Sequence, residues 1–98
     1  MSRDIIREHA RLIILRELHA QSNYSLNDSL LQQTLESFGI AKSREWVREE
    51  LNYLVEVGAI GKGLAGTVVV ATLLPKGVEH VERRLVIEGV KRPSPPEG

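Results

Sequence analysis

The residues best placed to do chemistry in this chain are Lys42, Ser43, Arg44 and Arg48, which open a helical segment. An arginine can grip guanine with two hydrogen bonds, and a serine or a helix N-terminus can hold a phosphate. That spacing suits contact with duplex DNA. Glu45, Glu49 and Glu50 share the segment, and an acid facing phosphate costs affinity. From Lys42 to Val57 there are three basic and four acidic residues, a net charge of −1. No catalytic set competes with this reading. Glu49 and Glu50 are adjacent and so point in different directions, unlike carboxylates that share a substrate. His9, His19 and His80 are scattered, none has a second histidine four residues on, and the chain has no cysteine. Gly58, Gly61, Gly63 and Gly66 fall at hairpin spacing and not in a strand-to-helix phosphate loop. The expectation is a protein that is not an enzyme and uses neither cofactor nor metal.

Five segments must position these residues. Ser2 to Ala20 lacks Gly and Pro and reads as a helix, with Ser2 placed to cap it. Tyr24-Ser25-Leu26 reads as an extended linker able to add a minimal third strand. Asn27 is a good cap for the second helix, Asp28 suits its positive end, and Leu26 and Leu31 sit where a hydrophobic staple would form. Leu30, Leu31, Thr34, Leu35 and Phe38 make its stripe, and Gly39 stops it. Ser43 caps the third helix, whose core stripe is Val47, Leu51, Leu54 and Val55. Trp46 and Tyr53 lie on a flanking face, and Gly58 ends the helix.

Beyond Gly58 the period changes. Residues 59–64 and the β-branched run 67–73 flank Ala65-Gly66 and predict a hairpin. Pro75 opens a last helix carrying Val78, Val81 and Leu85 on one face. Lys91 to Gly98 holds three of the four prolines and is expected to be an extended or disordered tail after a domain of residues 1–90. Helix, helix, helix, hairpin, helix is the order of a winged helix-turn-helix, mainly α with a small β-hairpin. The expected core is Ile6, Ala10, Ile13, Leu31, Leu35, Phe38, Val47, Leu51 and Leu54, closed by Ile60 and Val69.

The totals fit such a domain. Ninety-eight residues allow one core, and 42% apolar with 27% charged residues is ordinary for a globular protein. No apolar run reaches the ~20 residues that span a bilayer. Met1-Ser2-Arg3-Asp4 brings an acid too early for a signal peptide, so the expected location is the cytoplasm. Thirteen Lys and Arg balance 13 Asp and Glu. A nucleic-acid binder usually shows a basic excess, because phosphate neutralisation supplies most of its affinity.

Residues 43–60, a serine followed by valine and leucines at core spacing and then Gly58, Ala59 and Ile60, resemble the recognition helix and wing start of bacterial arsenic-repressor-like regulators. Leu73-Leu74-Pro75-Lys76-Gly77 resembles the segment after the wing in the multiple-antibiotic-resistance-repressor-like group, with Leu74 in place of a threonine cap. Nearly the whole chain resembles a small family of Mu-like bacteriophages and prophages. Ile6-Arg7-Glu8-His9-Ala10-Arg11-Leu12, Leu35-Glu36-Ser37-Phe38-Gly39-Ile40 and Gly89-Val90-Lys91-Arg92-Pro93 carry that likeness. The resemblance implies fold and phage origin. It assigns no activity.

Two functions follow as expectations. The first is a DNA-binding regulator that uses Lys42, Ser43, Arg44 and Arg48, with Lys62 as the only charge on the wing. The second is a protein-interaction module for a phage or host partner, suggested by the neutral balance, the apolar wing tip and the Trp46/Tyr53 pair. A homodimer is also expected. Leu12-Ile13-Ile14-Leu15 cannot all face one core at 3.6 residues per turn. Ile5, Leu12, Leu15 and Leu18, with Val78, Val81 and Leu85, are its expected interface. The competing arrangement folds the last helix and tail back over the first helix.

Overall fold

The computed structural model describes residues 4–95. Four helices and three strands follow one another as α1 (Ile5–Ala20), β1 (Ser25–Asn27), α2 (Asp28–Ser37), α3 (Arg44–Glu56), β2 (Ile60–Ala65), β3 (Val68–Leu73) and α4 (Pro75–Val81). Capping fixes where the helices begin. Ser2 lies outside the described residues, and it is Asp4 that accepts the Arg7 N–H at the head of α1, at 3.0 Å. Asn27 and Ser43 cap α2 and α3 by accepting from the Leu30 and Trp46 amides. Leu74, where a threonine would cap, starts α4 with no side-chain bond and leaves the task to Pro75.

The sheet is antiparallel, in the order β1-β3-β2. The short β1 pairs with β3 through Ser25↔Thr72 to Asn27↔Val70, and the Ser25 and Thr72 hydroxyls bond at 2.7 Å. In β3, Val69, Ala71 and Leu73 face the core and alternate with half-buried neighbours. The hairpin turn is Gly66-Thr67, one residue later than Ala65-Gly66, because Ala65 pairs with Val68 and Gly66 takes the positive φ. Three helices backed by a three-stranded sheet with a projecting hairpin make the winged-helix arrangement.

Most of the expected core is buried, from Ala10 to Val69, but two residues are not. Ile6 and Phe38 are 53% and 64% exposed. Ile6 precedes the stretch of α1 that the rest of the chain covers, and Phe38 is already the C-cap of α2. Leu12, Leu15 and Leu18 are buried within the single chain, together with Ile14, and so are closed off as an interface. Val78 and Val81 are half-buried against the same core. Helix α4 ends at Val81 and leaves Leu85 outside it, at the edge of exposure.

The cover comes from a C-terminal leg with no regular structure. Ile87 and Val90 are buried, and the Lys91 N–H donates to Glu8 O of α1 at 3.1 Å. His80, also buried, clasps the leg. Its Nδ1 accepts the Ile87 N–H at 3.0 Å, which makes Nε2 the donor to Lys91 O at 2.9 Å. Lys91, expected in a loose tail, is therefore anchored. Gly89 lies against Tyr53, where a Cβ would fall 1.9 Å from the phenolic oxygen. Gly77 permits a similar approach of α4 to Ala59 O, at 2.5 Å from a Cβ position.

Candidate interaction face on the third helix

Helix α3 presents four different sides. Its inner side, Val47, Leu51 and Leu54, is buried. The side toward α1 holds Glu50, 1% exposed, which binds both Arg7 and Arg11. Arg11 Nε reaches Glu50 Oε1 at 2.7 Å, its Nη1 donates to Gly89 O at 2.8 Å, and its guanidinium lies 3.7 Å from the Tyr53 ring centre. Arg7 also meets Glu49 at 3.4 Å and lies over Trp46 at 4.9 Å. Tyr53 donates its hydroxyl proton to Glu88 O at 2.8 Å. The Trp46/Tyr53 pair is thus half-buried and engaged within the chain.

The side toward α2 and the hairpin holds Arg48. Its Nε donates to Asp28 Oδ2 at 2.6 Å, and Nη2 donates to Thr67 O at 2.9 Å. Asp28 is fully buried and also accepts the Val69 N–H at 3.2 Å. Burial works against its charge, but the Arg48 and Val69 hydrogen bonds and the charges of Arg48 and Arg44 outweigh that and hold the carboxyl below its ordinary range. One arginine therefore ties α3 to α2 and to the turn of the hairpin.

The outer side completes the helix. Glu45, Glu49, Asn52 and Glu56 are all exposed and recur at i, i+4, i+7 and i+11, which is one ridge of an α-helix. Three of the four are acids.

Over 96 residues, 97% of this chain and 98% of the relative, the sequence is 40% identical to a protein of Escherichia phage Mu described as uncharacterized protein gp26. The chain belongs to the gp26 family of Mu-like phages. No family model matches it, and no solved structure does.

In this gp26-family chain the residues expected to touch DNA fall close together but differ in what they are free to do. Ser43 is occupied as a cap acceptor and Arg48 is bound to Asp28. Lys62 Nζ donates to Asn52 Oδ1 and lies against the ridge, while Lys42 Nζ rests 5.5 Å from the Trp46 ring centre. Arg44 is half-buried at the head of the helix. The wing tip carries Leu64, 79% exposed. Sequence reading missed the ridge because it counted the acids of α3 without assigning them to sides. Helical spacing alone separates Glu50 from Glu45, Glu49 and Glu56. Among the described residues no group of three His, Asp or Glu could hold a metal ion, and no helix is long and apolar enough to cross a membrane.

Proposed function

We propose that this phage-family chain is a protein-interaction module built on a winged-helix frame, and that α3 meets a protein surface instead of the major groove. The observation that carries this reading is the outer ridge of α3. A recognition helix entering the groove runs between two phosphate backbones. Glu45, Glu49 and Glu56 would then face phosphate, and like charges repel there. Arg48, the cation best placed to offset them at the head of the helix, is bound to Asp28, and the contacts that reach the ridge are those of Arg7 with Glu49 and of Lys62 with Asn52. An exposed row of carboxylates, on a chain whose wing tip exposes the apolar Leu64, suits a protein partner that offers basic residues and an apolar contact.

A photo-activatable residue in place of Asn52, at the middle of the ridge, tests this in cells producing the parent phage. The expected product is a discrete protein adduct, lost when Glu45, Glu49 and Glu56 are changed together to Lys. An adduct to DNA, or no protein adduct, overturns the reading.

A further inference from the structure

Strand β2 is an edge of the sheet, with β3 on its inner side and no strand on its outer side. The ladder decides which peptide groups face outward. The Leu74 N–H crosses to Ala59 O at 3.0 Å, whereas the Leu73 N–H turns the other way, to Tyr24 O at 2.8 Å. By the alternation of an antiparallel ladder, Gly61, Gly63 and Ala65 bond to β3, and the amides and carbonyls of Ile60, Lys62 and Leu64 point away from it. Those of Lys62 and Leu64 find no other hydrogen bond among the described residues, and both residues are exposed. Sheet edges are usually blunted by proline, by outward charge or by shortness. This one is six residues long without a proline, and its one charge, Lys62, donates to Asn52 on α3. Nor does the fold require its glycines. Neither Gly61 nor Gly63 has a positive φ, and a Cβ would meet nothing within 4 Å at Gly63 and only Leu74 Cδ2, at 3.9 Å, at Gly61. Glycine inside a strand often marks a place where another backbone approaches closely.

We infer that this edge takes an extended segment of the partner protein as a fourth strand, with basic residues of that segment set against the α3 ridge. The inference rests on the reading of α3 as a helix that meets protein. Main-chain bonds to Lys62 and Leu64 hold the segment, and its alternate side chains give specificity. Lys62 reaches Asn52 in the middle of the ridge, so the face of β2 that carries Lys62 and Leu64 is the one turned to α3. Every second side chain of an added strand stands on that same face, one strand spacing further out. Glu49 and Glu56 flank Asn52 on the helix and call for Lys or Arg there, while Leu64 calls for an apolar neighbour. On the other face Gly61, Gly63 and Ala65 leave backbone bare enough to lie under large side chains. Charge selects against a second copy as the occupant. Two β2 edges paired antiparallel about a two-fold would put both α3 helices on one face of the joint sheet, acid ridge toward acid ridge.

Short random peptides are selected on the full chain, and a bound one is synthesised and added to isotopically labelled protein. Selected peptides are expected to alternate basic and apolar residues. Amide exchange at Lys62 and Leu64, fast in the free chain, is expected to slow on binding while Gly61 and Gly63 change little. Leu64→Pro removes an outward N–H and no ladder bond, so the hairpin should persist. Affinity should fall by about tenfold or more, for one lost hydrogen bond and a blocked edge. Should that variant not fold, the exchange pattern of the unaltered chain decides alone. Failure to select any peptide overturns the inference, as does a peptide that binds Leu64→Pro equally well or leaves Lys62 and Leu64 exchanging freely. Selected peptides without basic residues also overturn it. So does slow exchange at both amides in the chain alone with a doubled mass, which would make a second copy the occupant. Signal shifts confined to the α3 ridge overturn the added strand and leave the reading of α3 standing, whereas an adduct of position 52 to DNA removes that reading by itself.

Discussion

Arg48 shows what a residue's type and spacing can and cannot reveal. Its place one turn into a recognition-like helix is right for a base contact, yet it binds the buried Asp28 twenty residues upstream. Nothing local in the sequence announces that pairing. The pair is asymmetric, with Arg48 38% exposed and Asp28 fully enclosed. Removing the arginine strands a buried carboxylate, and partial screening of the pair moderates the cost. Arg48→Ala is expected to lower stability by about 2–3 kcal/mol in urea titration, and adding Asp28→Asn should recover part of it. The pH response has a definite sign. A carboxyl whose folded value lies below its unfolded value contributes stability above the unfolded value and loses it as pH falls through the folded one. Unfolding midpoints should therefore drop as pH falls below about 4, and Asp28→Asn should flatten that drop. An unchanged slope would remove Asp28 from the account.

At the scale of elements, local chemistry was readable wherever a repeat or a cap wrote it. Asn27 and Ser43 mark two helix starts, and the alternation of β3 marks a strand with one buried face. The C-terminal leg has neither period nor cap. Ile87 and Val90 are apolar residues among turns, and only the tertiary position of His80 and α1 makes them core. Missing them led to the expectation that Leu12, Leu15 and Leu18 needed a partner. The leg also depends on one close approach. Gly89 has φ +82 and no room for a Cβ beside Tyr53. Gly89→Ala should cost about 2–3 kcal/mol by clash and backbone strain together. Hydrogen exchange should show the Ile87 and Lys91 amides opening first, with the β2–β3 ladder retained. Tyr53→Phe removes only the bond to Glu88 O and should cost about 1 kcal/mol.

For the whole molecule, a net charge of zero conceals an arrangement. Acids of α3 divide into Glu50, consumed by Arg7 and Arg11, and an outer ridge that is nearly all carboxylate. The winged-helix order of elements was legible from periodicity and turn residues. The charge of its recognition face was not, because that depends on which long-range partners neutralise which side chains. The central claim, that α3 does not read DNA, is tested most directly by fluorescence anisotropy at physiological salt with random duplexes and fragments of the parent phage genome. The account expects no association tighter than the roughly 10⁻⁴ to 10⁻⁶ M of generic non-specific binders, and no gain on comparing fragments. Submicromolar binding to a particular fragment, steeply weakened by salt and abolished by Arg44→Glu, would contradict it.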